Sequence, residues 1–237
     1  MPISSLVAFL AILLASLFSN PVIAAPADSL NAQGFRAYSK KDYPGALELF
    51  QKAVESDGKH VVARYNLACT MALLRAQNKT CEYSAYVPEI MDQLEAAVKL
   101  DGKRKERLMT DPDLAAVRNY WRFQKLLGKR VSNETDVKEL LVLIRWFGPS
   151  PGAMGPVAGA VFKADGSFEF WQLNPDNGKR RPRTGTYIVK GNAITFSVAA
   201  KGSDKAAVWT GVLGDSGEIK IKELDLILTD DRSECSA

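Results

Sequence analysis

The residues able to do chemistry are few. His60 is the single imidazole among 237 residues. Chemistry needing two imidazoles, an H-E-x-x-H zinc site included, is therefore excluded. A Ser-His-Asp or Cys-His nucleophile would have to use His60, which stands in Gly58-Lys59-His60, at a repeat turn or the start of a helix. A solvated helix-start position is the expectation there. Three cysteines are too few for a Cys₄ metal knot. Four Gly-Lys pairs begin at Gly58, Gly102, Gly128 and Gly178, but none is followed by Ser or Thr. Five residues upstream stand Ala53, Ala97, Phe123 and Leu173, so no P-loop exists. No glycines are spaced G-x-G, which removes the dinucleotide fingerprint. Asn174-Pro175-Asp176-Asn177-Gly178 has calcium-loop residue types. With Gly178 as sixth loop residue the first ligand would be Leu173, so a long hairpin turn is expected instead. Asp230-Asp231 is expected to be solvated. The sequence predicts no catalytic residue, no metal site and no cofactor, and hence a non-enzymatic protein.

The remaining cysteine chemistry depends on compartment. Residues 1–26 carry no charged side chain, and an apolar run of about 13 residues covers 6–18. Val22 and Ala24 fit the small-x-small rule for signal cleavage, placing the cut after Ala24. The alternative is an uncleaved anchor, because the n-region lacks Lys and Arg. No other run is long and apolar enough to span a membrane. The chain is expected to be exported, periplasmic or extracellular. In that setting Cys69 and Cys81, 12 residues apart, are a candidate disulfide; such a loop closure contributes roughly 3 kcal/mol. Alternatively Cys69 is a small buried residue on a helix. Cys235 lies in a polar tail, as an exposed thiol or a partner for another chain.

Charge and glycine usage define what must position these residues. Net charge is +4, from 31 basic and 27 acidic residues, too slight for a nucleic-acid footprint. Two basic clusters stand out, Lys103-Arg104-Lys105 with Arg107, and Lys179-Arg180-Arg181 with Arg183. Each is either solvated surface or, for the second, a contact for an acidic partner or anionic lipid head groups. Only five of the 17 glycines precede Gly148. Residues 26–132 carry 18 basic and 13 acidic groups (+5), and residues 133–237 carry 13 and 14 (−1). This predicts an α+β chain of two domains: 1–24 a signal peptide, 25–130 helical, 131–237 antiparallel β.

Helical periodicity covers 30–39, 43–56, 61–76 and 88–100. Phe50-Gln51-Lys52-Ala53-Val54-Glu55-Ser56-Asp57-Gly58 is echoed by Leu94-Glu95-Ala96-Ala97-Val98-Lys99-Leu100-Asp101-Gly102, an internal repeat. The first copy resembles a tetratricopeptide repeat: Gly34, Ala46, Phe50 and Ala53 fall at that family's small, small, aromatic and small positions. Leu67, Ala68, Leu94 and Ala97 match in the second copy, interrupted by about ten extra residues at 78–87. Asp111-Pro112-Asp113-Leu114 through Leu127 looks like the short helical ending of bacterial arrays of this kind. The resemblance implies a protein or peptide partner on the concave face, with Asn31, Phe35, Tyr38, Tyr65 and Cys69 as contacts. The carboxylate-clamp pattern is absent. Alternatively Phe35 and Tyr38 pack against a neighbouring helix or the β domain.

The second half alternates with period two. Strands are expected at 143–147, 157–164, 167–173, 184–190, 193–199, 206–213, 218–222 and 224–228, with hairpin turns at Asp165-Gly166 and Gly191-Asn192. That number of short strands fits a small barrel or sandwich. Asp165-Gly166-Ser167-Phe168 followed by Gly185-Thr186-Tyr187 and Gly191-Asn192-Ala193-Ile194 resembles lipocalin-like bacterial domains. Trp146, Trp171, Tyr187 and Trp209 either line a ligand cavity or fill the interior. The function expected is protein–protein interaction through the helical groove in the periplasm or cell envelope. The alternative is a carrier holding a small apolar ligand in the barrel.

Overall fold

The computed structural model describes residues 26–149, 155–202 and 204–231. The expected signal peptide and Cys235 lie outside them. A helical N-terminal part is followed by an eight-stranded antiparallel barrel, the α+β arrangement expected. Among the described residues no helix is long and apolar enough to cross a membrane.

Helices α1 (Ala27–Ser39) and α2 (Tyr43–Ser56) pack as one hairpin, and α3 (Val61–Ala76) and α4 (Val87–Leu100) as a second. Asp42 starts α2 by accepting from the Gly45 N–H at 3.0 Å, with Pro44 in the first turn. His60 caps α3 in the same way. Its Nδ1 accepts from the Ala63 N–H at 3.1 Å, and its Nε2 lies 3.1 Å from Asp28 Oδ1. The imidazole does begin a helix, but only 11% of its side chain is exposed, so the solvated position expected is corrected. The repeated Asp-Gly turns are built alike: Asp57 sits at φ −141°, ψ 99° and Asp101 at φ −143°, ψ 99°. Each carboxylate accepts from the N–H two residues on, Lys59 at 2.8 Å and Lys103 at 3.1 Å. The sequence echo is thus an echo of backbone geometry. Ala46, Phe50 and Ala53 are buried, and a Cβ at Gly34 would lie 2.7 Å from Phe50 Cδ1. Absence of a side chain there brings α1 and α2 together.

After the short α5 (Arg104–Leu108), a 3₁₀ turn at Pro112–Val117 lies on α3, and α6 (Trp121–Leu127) follows. Leu114, Val117 and Phe123 enter the helical core. Gly128, at φ +106°, ends α6 in the left-handed conformation. The next element departs from expectation. Instead of a strand at 143–147, α7 (Glu134–Leu143) forms, and only Trp146–Phe147 remain as strand β1. Asn133 caps α7, its Oδ1 accepting from the N–H groups of Thr135 and Asp136 at 2.9 and 3.2 Å. Val137, Leu140 and Leu141 then join the β core.

The remaining strands are β2 (Ala158–Phe162), β3 (Ser167–Leu173), β4 (Arg180–Lys190), β5 (Ala193–Val198), β6 (Ala207–Leu213), β7 (Ile219–Ile221) and β8 (Leu226–Leu228). Each pairs antiparallel with the next in sequence. The sheet is brought nearly to closure by Phe147 and Thr229, whose N–H groups donate to each other's carbonyls at 2.7 and 2.8 Å. The barrel interior is packed with rings. Phe162 meets Tyr187 at 5.0 Å, Phe168 meets Phe196 at 5.3 Å, and Phe170 meets Trp209 at 5.3 Å between centroids. Trp121 reaches from α6 into this core and lies over Gly217, whose φ of +83° and close indole both require glycine.

Candidate functional site

Phe35 and Tyr38 are one turn apart on α1, and Tyr65 and Cys69 are one turn apart on α3, so each pair shares a helix face. The Asn66 side-chain amide donates to Asn31 Oδ1 at 3.1 Å and ties the two faces together. All five residues expected to contact a partner therefore fall in one neighbourhood. They are joined there by Asp111 and Asp113, which sequence reasoning did not select. The Tyr38 hydroxyl donates to Asp113 Oδ2 at 2.5 Å, and the Tyr65 hydroxyl donates to Asp111 Oδ2 at 2.9 Å. Asp111 Oδ1 accepts from the Asp113 N–H at 3.1 Å, and Arg107 Nε lies 3.4 Å from its other oxygen. The available signal for Asp111 was its place before Pro112, where it caps the 3₁₀ turn.

This arrangement changes the picture of an open groove. Tyr65 and Cys69 are buried, 2% and 4% exposed, beneath the chain's own Asp111–Asp113 segment. What is left is a cavity of about 50 Å³ among Tyr38, Tyr65, Cys69, Asp111 and Asp113. Phe35 remains 55% exposed, with its ring stacked on Tyr38 at 5.9 Å. Phe35 and Tyr38 thus make ring contact with each other, and Tyr38 in turn meets Tyr43 at 5.7 Å.

Burial pushes the Cys69 thiol well up, and the Asp111 and Asp113 charges push it further. Burial likewise raises Tyr65 and Tyr38, helped for Tyr38 by its hydrogen bond to Asp113. Both phenols therefore act as proton donors to carboxylates. Cys69, Asp111 and Asp113 place one sulfur and two carboxylate oxygens within 4.8 Å of one another, one group of potential metal ligands among the described residues. A thiolate with two carboxylates suits a borderline divalent ion. Both carboxylates accept hydrogen bonds from the Tyr38 and Tyr65 hydroxyls, and these bonds tie α1 and α3 to the 3₁₀ turn.

The cysteines do not pair as the spacing suggested. Cys69 is free, whereas Cys81 is disulfide-bonded. Cys69 sits on the buried side of α3, locked among Tyr65 and the aspartates, which explains its absence from any bridge.

Of the candidate ligand-lining residues, Trp146 is buried and donates from Nε1 to the Leu141 carbonyl at 3.2 Å. Trp209 packs between Phe170 and Phe196, and the Tyr187 hydroxyl donates to the Lys163 carbonyl at 2.9 Å. These three fill or edge the interior. Trp171 does not belong with them. It alternates with the inward Phe170 and so faces out, where Arg180 lies 4.2 Å over its ring. A larger concavity, a cleft of about 920 Å³, lies between α7 and β4. Val142, Leu143, Ile188 and Val189 line it, with Lys129 and Glu139 at its edge. Those two ionised groups pair with each other, and Lys129 also pairs with Asp136 at 3.0 Å.

Comparison of the chain with protein-family models and with curated proteins finds no match.

Proposed function

We propose that the chain is an exported, non-enzymatic binding or scaffold protein of the periplasm or cell envelope, whose tetratricopeptide-like helices receive a protein or peptide partner. The supporting observation is the convergence of Asn31, Phe35, Tyr38, Tyr65 and Cys69 on one side of α1 and α3. Phe35, stacked on Tyr38 and exposed, is the anchor of this surface. Tyr65 and Cys69, covered by Asp111 and Asp113, brace it from beneath, which limits the ordering cost on binding. A photo-crosslinking side chain introduced at position 35 tests the reading. The same partner should be captured there and not from position 208 on the outer barrel wall, and Asn31→Ala should weaken capture. Capture from 208 and not from 35 would reject it.

A second reading, a carrier of a small apolar ligand in a lipocalin-like β domain, draws on the cleft rather than the ring-filled interior. Its apolar wall of Val142, Leu143, Ile188 and Val189 is the observation in its favour. An environment-sensitive apolar dye should bind the full chain and lose affinity in Ile188→Asp. Unchanged dye binding in that variant would reject the cleft.

A further inference from the structure

Strand β4 is longer than its neighbours, and its first residues extend beyond β5. Arg180 to Arg183 pair with β3 alone; pairing with β5 begins at Gly185. Lys179, Arg180 and Arg181 are exposed on this hairpin, and among the described residues no carboxylate lies within ion-pair distance of them. Arg183 beside them differs, being paired with Asp204. Between 173 and 183 the only acidic residue is Asp176. The outer face of the same hairpin is apolar: Trp171 lies under the Arg180 guanidinium, and Leu173 and Pro182 stand opposite Arg180 and Trp171 in the ladder.

We propose that the tip of the β3–β4 hairpin docks on an anionic phospholipid surface. Its composition is that of an interfacial anchor, an indole with adjacent aliphatic groups at headgroup depth and unpaired cations for the phosphates. The exposed turn 174–179 and the adjoining open edge of β4 present a convex end of the sheet to a partner, which suits a flat headgroup layer. Arg180 serves both parts of the contact. Its guanidinium covers the Trp171 ring in water and exchanges that cover for lipid phosphate on docking.

The full chain is sedimented with vesicles of phosphatidylethanolamine and phosphatidylglycerol, and with vesicles of phosphatidylcholine alone. Binding is expected to the first and not the second, weakening as salt rises. The triple variant Lys179→Gln, Arg180→Gln, Arg181→Gln should lower partitioning roughly hundredfold, about fivefold for each cation removed. Each single variant should show its own fivefold loss, which answers the question should the triple variant not fold. A control with the same change in net charge, Lys40→Gln, Lys41→Gln, Lys59→Gln, should bind as the parent does. Brominated lipids should quench tryptophan fluorescence in the parent, and less in Trp171→Phe. Equal loss in both triple variants would make the attraction one of net charge and overturn the proposal. Absence of vesicle binding overturns it too, and so does capture of a soluble acidic polypeptide by the tip without any vesicle binding.

Discussion

Tyr65 and Asp111 are 46 positions apart, yet the Tyr65 hydroxyl donates to Asp111 Oδ2 at 2.9 Å where both are buried. That bond fastens the segment following the last repeat helix across the face of α3. Tyr65→Phe removes the donor and leaves a buried carboxylate oxygen short of a partner. Urea titration should show a loss of about 1–3 kcal/mol. Asp111→Ala should cost more, because the Asp113 N–H and Tyr65 hydroxyl are both orphaned. A loss within error for Tyr65→Phe would show that water satisfies this carboxylate instead.

Alkaline pH should act on the same cluster. Tyr38 and Tyr65 hold their protons more firmly when folded, chiefly through burial. A group raised in the fold contributes stability that is complete below its unfolded value, near ~10 for a phenol. That contribution declines as pH climbs beyond it toward the folded value. The double variant Tyr38→Phe, Tyr65→Phe should therefore flatten the fall in thermal midpoint above about pH 10. An identical fall in the parent and the double variant would assign it to other groups.

Asp230 works in the opposite sense to the usual carboxylate. Burial raises its proton affinity, and Asp231 adds to the effect, while its Oδ2 accepts from the Trp121 N–H at 2.6 Å. With a raised folded value, its favourable contribution is whole only below the unfolded value near ~3.9 and disappears as pH rises through the folded one. At neutral pH the buried charge opposes folding. Asp230→Asn keeps an acceptor for Trp121 and removes the charge, so its midpoint should exceed the parent's at pH 7 and match it near pH 3. A lower midpoint at pH 7 would show that the ionised cap on α6 outweighs burial.

Gly34 and Gly102 give a paired test of helix contact. A methyl at 34 meets the Phe50 ring, whereas at 102 nothing lies within 4 Å. Gly34→Ala should destabilise by about 1–3 kcal/mol through overpacking, and Gly102→Ala should be close to neutral. Equal effects would mean that α1 can slide away from α2 without loss.

Thiol chemistry separates the cysteines. Cys69 is buried and free while Cys81 is bonded, and the sequence contains one further cysteine, Cys235. Non-reducing peptide maps should recover Cys81 in a disulfide-linked peptide that does not contain Cys69, and Cys69 should resist thiol reagents until the chain is unfolded. A recovered Cys69–Cys81 peptide would contradict the assignment.

Local signals were readable where one element decides its own ends. Asp42-x-Pro and the Asp-Gly turns set the bounds of α2 and the end of α4, and Asp165-Gly166 set the start of β3. Strand parity put Phe168 and Phe170 inside, and the same parity places Trp171 outside; grouping it with Trp209 ignored that rule. The run Leu140-Leu141-Val142-Leu143-Ile144 carries no period that separates helix from strand, and the cap that settles it, Asn133, acts from well upstream. Asp111 and Asp113 were missed for a different reason. Their partners Tyr38 and Tyr65 lie far back in the chain, and only the folded path of the 3₁₀ turn brings them together.

The Phe147–Thr229 seam has a consequence for biogenesis. The first strand finds its second neighbour only beside the eighth, so a chain that stops short of Thr229 holds a ribbon with two raw margins. The helices can assemble early from near-neighbour contacts, whereas the ring cannot close before the eighth strand is present. Loss of that strand therefore yields a sticky product instead of a smaller working one.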